Sequence, residues 1–146
     1  MKENRIKISF QLNDDEIGDG PIDTEALWCL MVDGGLQIKN ISMFIEGISY
    51  NDVVETKELK DKRHRILSIN QKSENSTIWI VVQNETYDDE IVDKFRNLGC
   101  DIEGGKPEGY YGVNVPEKIS MEKVYNMISS YCDREIILAD YPSMRH

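Results

Sequence analysis

The seven residues Ser76–Val82 (Ser-Thr-Ile-Trp-Ile-Val-Val) constrain the fold more than any other stretch of the chain. They are its longest β-branched and aromatic run. Apolar side chains fall on both faces, so the run reads as a strand covered on two sides. The elements C-terminal to it can be read from periodicity. Thr86 is placed as a helix N-cap, with Asp88, Asp89 and Glu90 in the first turn, where carboxylates complement the helix dipole. Ile91, Val92, Phe95 and Leu98 recur at helical spacing, and Gly99 stands where a C-terminal cap needs left-handed backbone. The pattern predicts a helix over 87–98.

Residues 100–103 and Tyr110–Val115 read as strands joined by a glycine-rich connection, and Pro116 ends the second. Ser120 then caps a helix whose inner face carries Met121, Val124, Tyr125, Ile128 and Tyr131. Residues 135–139 are the last expected strand, with 140–146 as a tail. The order β-α-β-β-α-β is that of a ferredoxin-like unit, in which two helices cover one face of a four-stranded antiparallel sheet.

The first half has a different rhythm. Residues 5–12 alternate, with Ile6, Ile8, Phe10 and Leu12 on one side. An acidic loop spans 13–23; its carboxylates lack the order of a calcium-binding loop. Residues 25–32 and 36–41 flank Asp33-Gly34-Gly35, a tight-turn sequence. The first of these strands reads as covered on both faces. Residues 42–52 form an ordered loop in which Gly47 and Asn51 tolerate left-handed backbone. Strands over 53–59 and 65–71 close the half through a basic hairpin tip, 57–65. About five short antiparallel strands with tight turns fit a small, partly open barrel or curled sheet. The expected class is therefore α+β: an antiparallel β subdomain over 1–75 and a ferredoxin-like subdomain over 76–146, sharing one core, with the junction at 73–75.

A chain of 146 residues with 40% apolar and 30% charged residues can bury such a core. Its net charge of −10 is spread over both halves. That field repels phosphate backbones, which argues against direct nucleic-acid binding and favours a basic protein partner. Three cysteines, an odd set without C-x-x-C spacing, read as free thiols of a reducing compartment. The charged N-terminus has no apolar signal segment, and no run approaches a membrane span. The expectation is a soluble cytoplasmic protein, monomer or homodimer, with no membrane contact.

Catalytic motifs are poorly represented. Gly47-Ile-Ser49-Tyr-Asn51 misses the nucleophile-elbow pattern at its last position and precedes a strand. Gly104–Gly109 joins two strands and carries Glu108, whereas a phosphate loop opens a helix. His64 and His146 with scattered thiols give no zinc spacing and read as surface residues. The chain is thus expected to be no enzyme and to need no cofactor or metal.

Phe44-Ile-Glu-Gly-Ile-Ser-Tyr-Asn-Asp-Val-Val, with Leu98-Gly-Cys, Glu103-Gly-Gly, Tyr111-Gly-Val-Asn-Val-Pro and Arg145-His146, resembles the bacterial domain-of-unknown-function family 4265. Asn51 stands where that family often has Gly. The resemblance brings no established activity. Some members look like neighbours of polymorphic-toxin genes, which implies an immunity protein that binds and neutralises a toxin domain, plausibly a nuclease. Its contacts would be Asp14, Asp15, Glu16 and Asp19 in the first loop and Asp88, Asp89 and Glu90 at the helix start. The alternative is a small-molecule-binding regulatory module, with a site at Gly47, Ser49, Tyr50 and Asp52.

Overall fold

The computed structural model describes residues 4–12, 23–105 and 107–146. The chain divides into two compact units, Met1–Ser73 and Glu74–His146. The first holds strands β1 (Ile6–Gln11), β2 (Thr24–Val32), β3 (Gly35–Ile38), β4 (Val53–Glu58) and β5 (His64–Gln71). Each is antiparallel to the next. A parallel bridge, Phe10 opposite His64, joins β1 to β5, so the sheet closes on itself.

The two-residue period of a strand sends alternate side chains inward. Phe10, Leu27, Cys29, Leu36, Ile38 and Val54 form that interior, together with Ile45 and Ile48 from the loop before β4. The β2–β3 turn depends on Gly34 (φ 91°) and Gly35 (φ 141°). A Cβ at Gly35 would also overlap the Val54 carbonyl, so this turn and its neighbouring strand require glycine there.

One expectation about β2 is corrected. A closed five-stranded sheet has one inner face, and Leu27 and Cys29 occupy it. Trp28, on the opposite parity, is 43% exposed, and Met31, near the strand's end, is 78% exposed. The Lys7 ammonium sits 5.5 Å from the Trp28 ring centroid, from the residue paired with it in register. The basic hairpin tip is the solvated turn expected. Its Arg63 pairs with Asp61 at 2.6 Å, and Lys62 takes positive φ.

The second unit runs β6 (Ser76–Val82), a 3-10 turn (Glu85–Tyr87), α1 (Asp88–Leu98), β7 (Asp101–Gly104), β8 (Tyr110–Val115), α2 (Met121–Asp133) and β9 (Ile137–Ser143). The four strands form an antiparallel sheet in the order β7-β8-β6-β9. Ile78, Ile80 and Val82 of β6 join Ile91 and Phe95 of α1 and Val124 and Ile128 of α2 in one buried cluster.

Four local expectations change here. The cap is Asn84, whose side chain accepts from Thr86 N–H at 3.1 Å. The 3-10 turn it starts leads into α1, displacing the cap from Thr86. Tyr125 is 40% exposed and tilts against Tyr141, with 5.5 Å between ring centroids. Strand β9 extends through most of the expected tail, because a bulge opposite β6 lets Ser143 pair with Thr77. Finally, β6 is not covered on both faces along its length: Val81 is 42% exposed beside exposed Leu138, its cross-strand neighbour.

Candidate functional site

Two buried carboxylates organise the loop between β3 and β4. Asp52 is fully buried. Its Oδ2 accepts from Ser49 N–H and its Oδ1 from Ser73 N–H, both at 2.8 Å. The Ser73 hydroxyl donates to the Tyr50 carbonyl at 2.6 Å. Gly47 (φ 85°) and Asn51 (φ 74°) make the turns that aim these donors. Asn51 thus adopts the left-handed backbone the sequence suggested, and its Oδ1 accepts from Lys39 Nζ at 2.8 Å. Of the four residues considered as ligand handles, Ser49 and Asp52 are bonded to each other within the loop. Tyr50 lies beneath the Lys39 ammonium, 5.7 Å from its ring centroid.

The second carboxylate was not anticipated. Glu25 projects inward from β2 and accepts from the Ser42 hydroxyl (2.7 Å), Met43 N–H (2.6 Å) and Phe44 N–H (3.2 Å). It shares its inward parity with Leu27 and Cys29, and that parity is the one signal that could have exposed it. Charge-assisted bonds of this kind fix a loop strongly, since any donor left without its acceptor would be buried unsatisfied.

The acids at the start of α1 form a second feature. Val82, Gln83, Glu85, Asp88, Glu108 and Gly109 line an open hollow of about 240 Å³. Asp88 Oδ1 is shielded from solvent and accepts no hydrogen bond. Burial, then the charges of Asp88 and Asp89 and a hydrogen bond with the Asp88 side chain, push the Tyr111 hydroxyl above its ordinary pKa. Glu90 is tied inward, accepting from Tyr131 Oη at 2.7 Å. Burial and that carboxylate push Tyr131 up to about 12. The structure therefore brings Asp88 to the hollow with Glu85 and Glu108, residues not singled out from the sequence. Asp14, Asp15, Glu16 and Asp19 lie outside the described residues.

His146 is exposed, as the sequence suggested, but hydrogen-bonded, whereas His64 is half-buried. The half-buried His64 ring bonds Thr56 Oγ1 through Nδ1 at 2.9 Å and packs edge-on against Phe10. His146 Nδ1 lies 2.8 Å from Ser76 Oγ. That is a serine–histidine pair, but Ser76 is fully buried and its Oγ already accepts from Arg145 N–H. Burial raises the Cys29 thiol to about 12 and, with the Asp101 charge added, Cys100 to about 11. Among the described residues no group of three or more His, Cys, Asp or Glu side chains could hold a metal ion, and no helix is long and apolar enough to cross a membrane.

The model of a domain of unknown function, DUF4265, matches residues 25–138, a span that includes Glu25, the Asp52 loop and the acid-lined hollow. The chain belongs to the DUF4265 family. No curated protein matches it. Among solved structures, a hypothetical protein from Neisseria gonorrhoeae is similar over 100% of this chain and 98% of that one, with a TM-score of 0.76 and 20% identity. At that identity the likeness speaks for the fold. This DUF4265 chain therefore shares its fold with a protein whose sequence has diverged widely.

Proposed function

We propose that this DUF4265 protein is a cytosolic immunity protein that binds and neutralises a bacterial toxin domain of the nuclease class. Its two units are read as a small β-barrel and a ferredoxin-like unit. The observation that carries the reading is the hollow at the start of α1. Three carboxylates, Glu85, Asp88 and Glu108, line it. A lysine or arginine of a basic partner would pair with the carboxylates that line the hollow, and a charge-assisted bond strengthens as binding excludes water. The surrounding charge of −10 would speed capture of such a partner. The ligand alternative at Gly47, Ser49, Tyr50 and Asp52 asks the Asp52 carboxylate to release two backbone donors, a cost the interaction reading does not carry.

The test is binding to the product of the adjacent reading frame, with rescue of cells expressing that product. Glu85→Lys with Glu108→Lys should weaken binding at least tenfold and flatten its salt dependence, leaving the fold intact. No binding, and no rescue by the unaltered protein, refutes the proposal.

A further inference from the structure

β9 is the last strand in the order β7-β8-β6-β9, so one of its sides faces no strand of that sheet. The hydrogen bonds of β6 say which main-chain groups of β9 lie on that side. Gln83 N–H donates to the Ile136 carbonyl and Val82 N–H to the Gly109 carbonyl, each at 2.8 Å. In an antiparallel pair, residues directly opposite each other alternate between exchanging both bonds and exchanging none. The register runs Val82–Ile137, Val81–Leu138, Ile80–Ala139 and Trp79–Asp140. Ile136, Leu138 and Asp140 therefore turn their N–H and C=O groups to β6, and Ile137 and Ala139 turn theirs outward. Tyr141 N–H, at the bulge, is taken by the side chain of its own neighbour, Asp140 Oδ1, at 2.9 Å.

The two edges of this sheet are guarded differently. β7 presents Asp101 and Glu103, exposed carboxylates of the kind that keep strand edges apart. Along β9 the one charged side chain is Asp140. Ile137 belongs to the cluster under the helices, so Leu138 lies on the other face, where it is 56% exposed beside Val81. Tyr141 is exposed as well. In a chain of net charge −10 this is an unpaired, nearly uncharged edge.

We propose that β9 pairs with β9 of a second copy, antiparallel about a two-fold axis at Leu138, which joins two four-stranded sheets into one. This register sets Ile137 of each chain opposite Ala139 of the other, so the outward N–H and C=O groups satisfy one another. Leu138 faces its own copy in the closer, non-hydrogen-bonded kind of pair, and each leucine covers the other. Asp140 falls opposite Ile136, so no two carboxylates meet. An axis one residue on, at Ala139, would instead set Asp140 against Leu138. On the helix side, the register carries Tyr141 of the copy past Ile137 towards an open hollow of about 460 Å³ lined by Cys132, Glu135 and Ile137. A basic protein finds a single carboxylate on this strand, whereas a second copy finds its own complement. The contact is the same patch on both chains, so it closes at two.

Sedimentation equilibrium of the full chain tests this. A dimer should accumulate between about 10 and 500 μM, and added salt should favour it by screening the repulsion between two acidic chains. Leu138→Lys sets two ammonium groups against each other at the axis and should weaken the dimer at least tenfold. Its site is exposed, so the circular-dichroism spectrum should not change. Leu138→Cys in a Cys132→Ser background should form an intermolecular disulfide on mild oxidation. Opposed residues of such a pair have Cα atoms about 4.5 Å apart, within disulfide reach. Asp140→Cys in the same background should not, because its copy lies well beyond that reach. A chain that stays monomeric across the range overturns the proposal. So does a dimer that Leu138→Lys leaves unchanged, cross-linking of Asp140→Cys as fast as Leu138→Cys, or assembly that grows past the dimer.

Discussion

Replacing Asp52 tests the account of the β3–β4 loop most directly. Both of its oxygens accept backbone N–H groups at 2.8 Å, from Ser49 and Ser73, and the side chain is fully buried. A hydrogen bond to a charged acceptor contributes about 1.5–3 kcal/mol, and a buried donor left alone costs a similar amount. Asp52→Ala removes both acceptors, so the expected loss is about 3–6 kcal/mol. Asp52→Asn keeps one acceptor and turns an amide N–H₂ towards the other donor, so about 2–4 kcal/mol is expected. Against a domain stability of about 5–15 kcal/mol, the alanine variant should lie near the limit of folding. The assay is urea denaturation followed by Trp28 emission in a Trp79→Phe background, because Trp28 belongs to the first unit and Trp79 to the second. Asp33→Asn, at an exposed turn where Asn-Gly serves as well as Asp-Gly, is the control. If Asp52→Asn lies within about 0.5 kcal/mol of that control at unchanged m-value, the loop is not held by this carboxylate.

The geometry sets three further outcomes. Gly35→Ala should abolish soluble expression, because the added Cβ meets the Val54 carbonyl. Gly34→Ala has open space around it and should cost only about 1–2 kcal/mol for its left-handed backbone, read as a thermal-melt shift. Asn84→Ala should destabilise by about 0.5–2 kcal/mol through loss of the cap on Thr86 N–H, measured by thermal unfolding. Thr86→Ala, the cap expected from sequence, should cost less. Labelling of folded protein with a thiol reagent near pH 8 should reach half-buried Cys132 first. Burial holds Cys29 near a pKa of about 12 and Cys100 near about 11, so both keep their protons until the chain opens. Equal rates for all three thiols in native buffer would contradict the packing described.

Much of the fold was legible because its signals are local. The β8 boundaries at Tyr110–Val115, the Ser120 cap and Gly99 (φ 96°) each depend on residues within a few positions of one another. The misreadings arose where a neighbour distant in sequence decided the outcome. Trp28 looked buried because β2 is apolar on both parities, but whether its outer face is covered depends on elements that no periodicity reports. Residues 140–143 were read as tail, and they include Pro142, which lacks the N–H a central strand needs. At the sheet edge its missing N–H costs nothing, and a bulge opposite β6 restores the pairing at Ser143.

The carboxylates show the same division more sharply. In a chain with 27 acids, composition makes every Asp and Glu look like solvated charge. Glu25 and Asp52 differ only in what surrounds them. Glu25 binds donors at positions 42–44, and Asp52 reaches Ser73, 21 residues on. Neither spacing belongs to a helix or a strand, so no period could reveal these partners, although the inward parity of Glu25 on β2 was readable. Asp88 has the opposite history: its place in a first helical turn was readable, and its sheltered Oδ1 was not. Charge at a helix start is explained by the dipole alone, as it is at Glu90, whose carboxylate is tied to Tyr131. A shielded oxygen without a donor is not explained that way, because burying an acceptor costs free energy that the dipole does not single out for return. The dipole and the Tyr131 bond account for Glu90, while the Asp88 carboxylate, two residues earlier, interacts with the Tyr111 hydroxyl and helps keep it protonated.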